Sequence, residues 1–530
     1  MTSGARVAKL CGGDIELGNF ILGLRSTDGT GREASRALLR EMRGHTGHTS
    51  ADDPQDWGRK YLATNGGCFY IDLDHLECCL PEVLSSHEHV AAWHAMLRIA
   101  RQALFDANAR LPEGQTLHVL VNNSDGKGNS YGSHLDFLVT RRAWDNVFAR
   151  KMQYLLYLAA FQVSSIIYTG QGKVGSENGR PEVAFQLSQR ADFFETLVGE
   201  QTTYRRPIVN ARDETLCGRS ADLARLHCIF FDNSLCHGSA LLKVGTMQMM
   251  LAMIEADRVD ATLILEDPVA AVRAWSHDPG LTTRMPMLSG SELTALELQM
   301  LFLEHAKRFA DTGGFDGVVP RAAEILALWE DTLAKLAAGE LGALVPRIDW
   351  VLKLHVLGQA LERRPELSWQ GPELKHLDHL YGSLDPGQGL YWAYETRGVL
   401  EPHASEDEIE RFVHEPPDDT RAWGRAMLLR AAGPQRVYAV DWDRIRFREA
   451  DGGYWPLLRT LEMPDPLGFT KAALDPVVAE TALLDETLDA LGASEAGYDT
   501  KQLVRAATTV RVVRRSNGGE SRSWSDTDYE

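Results

Sequence analysis

Short apolar runs with strand character recur through the first half of the chain, at residues 14–22, 67–72, 116–121, 163–168, 183–188 and 226–231. Between them, residues 88–107 and 143–160 repeat apolar positions three and four apart, the spacing of one helix face. Strands mixed irregularly with helices predict an α+β fold on a largely antiparallel sheet. From residue 291 to 370 the pattern is almost wholly helical, with amphipathic stretches at 292–310, 322–338 and 349–362. These are predicted to lie as a layer on the sheet. Pro416 and Pro417 interrupt the chain. A helix over 420–431, a single strand over 436–447 and a further helical stretch over 473–492 follow. The expected division is 1–405, 406–475 and 476–530, and the Ser/Gly/Asp-rich residues 516–530 read as disordered.

Composition narrows the function classes. Among 530 residues, 74 acidic side chains outnumber 55 basic ones, for a formal charge of -19. That argues against nucleic acid as partner, since phosphate contacts need a basic footprint. Seven cysteines without regular spacing predict no disulfide framework and favour a reducing cytoplasm. The chain shows no signal-peptide core and no apolar run of membrane-spanning length, so a soluble cytoplasmic protein is expected, with no membrane partner.

Three segments carry candidate chemistry. On a strand, residues two apart share a face, so Asp14 and Glu16 project together and repel unless a cation lies between them. Tyr70 and Asp72 share a face in the same way, with Glu77 one short turn beyond. Hard Mg²⁺ takes oxygen ligands from a few carboxylates and nucleotide phosphates, which suits this grouping. Residues 122–134 form a long polar, Gly-containing loop after a strand, where binding residues tend to sit. The usual nucleotide motifs are absent. Further on, Arg190, Arg205, Arg206, Arg212 and Arg225, with His227, could clamp a phosphate or carboxylate, or pair with the acidic majority on the surface. His134 and His227 by themselves read as satisfied core histidines.

The order and wording of these segments resemble the Pup ligase and Pup deamidase/depupylase family, the enzymes of prokaryotic ubiquitin-like tagging. The likeness runs from Gly12 to about Lys471. Its specific parts are Thr64-Asn65-Gly66-Gly67 leading into Tyr70-Ile71-Asp72, the 122–134 loop, Ser188-Gln189-Arg190-Ala191-Asp192 and Arg206-Pro207-Ile208-Val209-Asn210-Ala211-Arg212-Asp213-Glu214. Arg225-Leu226-His227, Leu242-Lys243-Val244-Gly245-Thr246, Thr420-Arg421-Ala422-Trp423 and Asp441-Trp442-Asp443 continue it.

The resemblance implies a large glutamine-synthetase-like domain, with a concave, mostly antiparallel sheet backed by helices, and a small C-terminal α/β domain. It implies ATP (or ADP plus phosphate) and Mg²⁺ as cofactors. The family's metal ligands fall on Asp14, Tyr70, Glu77, His134 and His227. The acidic base or nucleophile falls on Asp72, and nucleotide contacts on Glu16, Arg190, Arg421 and Trp442. Arg206 and Arg212 are expected to orient an acidic protein substrate. The implied partner is a Pup-like small protein modifier or its conjugates, in a proteasome-linked system. Within the family, residues 185–195, 198–203 and the 122–134 loop read more like the deamidase/depupylase. A carboxylate–amine ligase, a phosphotransferase and a binding-only pseudoenzyme are the alternatives. The chain departs from the family pattern at Asp14, shortened from Glu, and at Cys68, Leu80 and Leu135, where Arg, Thr and Glu are expected. The stretch from Phe20 to Ala63 is shorter than the insertion typical of depupylases.

Overall fold

The first strand organises the sheet because both of its edges find partners. In the computed structural model, which describes residues 6–24, 30–46, 58–449, 457–481 and 483–496, β1 (Cys11–Leu22) is followed by α1 (Thr30–Glu41), β2 (His45–Thr46), β3 (Lys60–Tyr61) and β4 (Cys68–Asp72). Next come β5 (His75–Val83), α2 (Ser86–Asn108), β6 (Thr116–Leu120) and β7 (Ser133–Thr140). On one edge β1 pairs with β5. On the other, its first half pairs with β7 and its second half with β6. The strand Leu223–Cys228 adds to β7, while β4, β3 and β2 continue beyond β5, every pair antiparallel.

Side chains alternate between the two faces of this sheet. Ile15, Leu17 and Ile21 point into one core with Ala34 and Leu38 of α1 and Trp93, Met96 and Leu97 of α2. Ser85 caps α2 by accepting the backbone N–H of His87. Behind lies the helix His237–Glu255, buried along its whole length, as expected of a helix apolar on every side. The predicted helical layer forms as Ala295–Ala310, Ala322–Ala337 and Asp349–Arg363.

Several elements differ from the sequence pattern for identifiable reasons. Residues 163–168 are helical rather than extended, lying in Met152–Ser164 and Ile166–Thr169. Ser164 and Thr169 turn their hydroxyls back onto the carbonyls four residues earlier, at 2.7 and 3.0 Å, so their polar groups are satisfied inside a buried helix. The expected strand over 183–188 shrinks to Phe185–Gln186, and that over 226–231 moves back to Leu223–Cys228. The stretch 436–447 is a hairpin of Val437–Val440 and Arg444–Arg448 with Trp442 in its turn. Leu458–Glu462 and Ser494–Ala496 complete a four-stranded C-terminal sheet, preceded by the helix Arg421–Arg436. The helical stretch expected over 473–492 divides into Lys471–Glu480 and Leu484–Ala490, and Leu488 is buried in the C-terminal core. That unit therefore takes in residues that the sequence pattern assigns to an extension. Residues 516–530 lie outside the described residues.

Candidate functional site

The face of the sheet opposite α1 and α2 collects nearly all the singled-out residues, because strand register puts paired residues side by side. Asp14 is paired with Cys79 on β5 and with His134 on β7. Glu16 is paired with Glu77, and Glu77 in turn with Tyr70. Asp72 is paired with His75 across the two-residue turn Leu73–Asp74, whose φ angles of 42° and 73° are left-handed. Asn19 of β1 holds this turn. Its amide donates to Gly31 O at 2.7 Å and Asp74 O at 3.1 Å, and its oxygen accepts the N–H of Leu76 at 2.8 Å.

The carboxylates converge. Glu16, Asp72 and Glu77 each bring an oxygen within 4.8 Å of the others, as do Asp14 and Glu77 with the Cys79 sulfur. Glu77 is 2% exposed and its Oε2 is buried without a hydrogen-bond partner. Burial first, then the Asp14 charge, push its acid well above the usual range. Burial likewise drives Glu16 up to about 7, against the N–H of Gly132 that it accepts. The Gly-containing loop thus gives one of its amides to an anion of the chain itself. Like charges packed together and out of water call for a cation.

His134 and His227 meet edge to face, 4.9 Å apart. His227 Nδ1 lies 2.8 Å from Asp136 Oδ1, a carboxylate that the sequence pattern did not single out. Such a partner fixes the ring orientation of a metal-binding histidine. His134 Nε2 is buried without a partner. Burial, His227 and the nearby Arg190, Arg206 and Arg212 lower its pKa well below the ordinary value, so the ring is neutral, the form that binds metal.

Two cavities open on either side of this cluster. The larger, about 580 Å³, is lined by Glu16, Asp72, Tyr131, His134, Tyr204, Arg205 and Arg206. The smaller, about 80 Å³, is lined by Gly12, Gly13, Asp14, Leu80, Leu138, Arg421 and Trp442. Asp14 borders the second and Asp72 the first, and Glu77 brings an oxygen within 4.8 Å of each of these two carboxylates.

The arginines divide. Arg190 is wholly buried and none of its three guanidinium nitrogens has a hydrogen-bond partner. Burial and the Arg206 charge pull its pKa down to about 9. Arg206 gives one bond to Ser130 O at 2.8 Å. Arg225 is not part of a clamp, since it is committed to Asp136 at 3.2 Å and Glu214 at 3.1 Å. Arg421 borders the small cavity but donates to Glu82, Leu216 and Met463, so it braces the wall. Trp442 is overlaid by the Arg425 guanidinium at 4.7 Å. Of the departures, Leu80 lines the small cavity and Leu135 is buried in the core. Cys68 is the strand partner of Cys79.

Sequence reasoning missed Asn19, Asp136 and Cys79. Asp136 could be found from its alternation with Leu135 and Phe137 on β7, and Cys79 from its place two residues after Glu77 on β5, whereas Asn19 on β1 carries no such signal.

Magnesium and a nucleotide fit these residues: the unpartnered Glu77 oxygen and converging carboxylates need a cation, and the unpartnered Arg190 needs an anion. Among the described residues no helix is long and apolar enough to cross a membrane. The family model described as Pup-ligase protein matches residues 29–446. A depupylase of Acidothermus cellulolyticus is 37% identical over 77% of this chain and 80% of its own. A Pup–protein ligase of Micrococcus luteus is 33% identical over 79% and 89%. The crystal structure of Pup with its ligase PafA superposes with a TM-score of 0.75 at 26% identity, covering 94% of this chain and 97% of that one. The ADP complex of PafA gives 0.69 at 26% identity, over 86% and 95%. The chain belongs to the Pup ligase and Pup deamidase/depupylase family, and is an enzyme of that family.

Proposed function

We propose that this enzyme uses Mg²⁺ and ATP, or ADP with phosphate, to hydrolyse the C-terminal glutamine amide, or the equivalent isopeptide bond, of a Pup-like protein. The single observation that supports it best is the position of Asp72. It stands at the wall of the larger cavity, within 4.8 Å of Glu16 and Glu77, with Arg206 on the same wall. The substrate enters from that side and the nucleotide from the side of Trp442, Leu80 and Arg421.

Asp14, Tyr70, Glu77, His134 and His227 would hold the metal, which would supply Lewis-acid polarisation. Glu16 and Arg190 would contact the nucleotide, with Arg190 offering an anion charge-assisted hydrogen bonds from its unpartnered nitrogens. Asp72 attacks the amide carbon, or takes a proton from the water that does. The C–N bond breaks, ammonia or a lysine amine leaves, and water supplies the oxygen and protons that restore Asp72 and release a carboxylate. Arg206 and Arg212 orient the acidic incoming tail by paired guanidinium contacts.

Identity of 37% to a depupylase against 33% to a ligase supports the hydrolytic direction. Carboxylate–amine ligation is the second reading, favoured by the likeness to a ligase bound to Pup. Intact-mass analysis decides between them. A Pup-like protein ending in glutamine, incubated with enzyme and Mg·ATP, gains the small mass of amide-to-acid conversion, and a lysine conjugate is released. Formation of a conjugate from the glutamate form, with no hydrolysis, would overturn the proposal.

A further inference from the structure

Three free cysteines, Cys68, Cys78 and Cys79, stand in the strands that carry Tyr70, Asp72 and Glu77. Only some of them face the site. Cys78 points into the core with Leu76 and Leu80. Cys79 points the other way and its thiol donates to Asp14 Oδ1 at 2.8 Å. A Glu77 oxygen lies within 4.8 Å of both. Glu77 is the second pointer to a ligand, because its Oε2 is buried and has no hydrogen-bond partner.

We propose that Cys79, with Asp14 and Glu77, makes this corner a binding site for a thiophilic divalent cation of the Zn²⁺ class. The proposal rests on the metal reading of Asp14 and Glu77 above and adds the sulfur donor to it. A Mg²⁺ ion gains little from sulfur, whereas Zn²⁺ and Co²⁺ favour it. Zinc accepts one thiolate at about 2.3 Å and carboxylate oxygens at about 2.0–2.2 Å, so donor atoms a few ångströms apart can close on one ion. The ion takes the place of the thiol proton shared with Asp14, and that proton leaves to solvent, since a coordinating thiol is deprotonated outright. Asp14 borders the small cavity, which gives the ion its entrance. Cys68 is the strand partner of Cys79 and wholly buried.

Cobalt is the probe, because a thiolate ligand gives Co²⁺ a sulfur-to-metal charge-transfer band in the near ultraviolet. Full-length protein stripped of metal is titrated with Co²⁺, with bound metal measured by equilibrium dialysis, and Mg·ATP binding is followed in parallel by thermal shift. The expected result is a band that saturates with bound Co²⁺ and is displaced by Zn²⁺. Cys79→Ser abolishes the band and weakens Zn²⁺ by at least about tenfold, the scale seen when even an outer partner of a metal ligand is lost. Cys78→Ser, on the core side, keeps it. Bound Co²⁺ without a band, no Co²⁺ binding, or a band that survives Cys79→Ser overturns the proposal. If Mg·ATP binds normally in that case, only the sulfur site fails; if Mg·ATP also fails to bind, the metal reading of Asp14 and Glu77 falls with it.

Discussion

Glu82 on β5 accepts a hydrogen bond from Arg421 Nε at 2.8 Å, tying the large sheet to the C-terminal unit. Arg425 adds a second pair to the same carboxylate, with Nη1 3.2 Å from Oε1, and its guanidinium overlies Trp442. Glu82 itself lines the small cavity, so these pairs hold its wall.

This triad makes acid stability depend on Glu82. Burial opposes its ionisation, but Arg425 and Arg421 outweigh burial and hold it at about 2. An unfolded glutamate titrates near about 4.3. The folded value is depressed, so the stabilisation is complete above about 4.3 and is lost as pH falls toward about 2. Its size is up to about 3 kcal/mol. Glu82→Gln should lose stability at neutral pH, by about 3–5 kcal/mol for breaking a buried pair, and show a flatter acid-unfolding curve. Chemical denaturation from pH 7 to 2 measures both, and parallel curves for the two proteins would remove Glu82 from this role.

Arg190 predicts an unusual pairing of effects. An unpartnered guanidinium in the interior is costly, so Arg190→Met should match or exceed the parent's melting temperature without ligand. The same change should abolish stabilisation by Mg·ATP or by phosphate. For the parent, that stabilisation reaches about 2.7 kcal/mol at a hundredfold excess over Kd. A variant that melts lower and still responds to phosphate would show that Arg190 has a structural partner instead.

Asp72→Asn preserves shape and removes the basic oxygen. Turnover should fall by about 10²–10⁴, the usual contribution of general acid–base catalysis, while Mg·ATP affinity persists. Glu77→Ala should weaken Mg·ATP as well. Single-turnover kinetics beside nucleotide titrations separates the two, and equal loss of nucleotide affinity in both variants would refute the division of roles.

Asn19 lines neither of the two cavities, yet it ties β1 to the turn that follows Asp72. Asn19→Ala leaves two carbonyls and one N–H short of a partner, costing about 1–3 kcal/mol. Because Asp72 would then be less well positioned, kcat should fall while the KM for Mg·ATP stays close to the parent's. A fall in stability with kcat unchanged would make Asn19 purely structural.

Periodicity and residue order determined a good part of this protein. The helical layer of Asp349–Arg363 and its neighbours could be read directly because amphipathic spacing persists over several turns. The pairing of Asp14 with Glu16, and of Tyr70 with Asp72, on shared strand faces follows from a period of two alone. Tertiary structure decided what local pattern leaves open. Residues 163–168 have β-branched character but fold as helix, since a fully buried helix shows no polar side to reveal its period. The five arginines looked equivalent along the chain, but only the packed structure separates the unpartnered Arg190 from Arg225, which Asp136 and Glu214 neutralise. The same holds for Cys79, which meets Asp14 through strand register. Charge and hydrogen-bond partners are properties of space, and residues 65 positions apart in the chain acquire them only when the sheet closes.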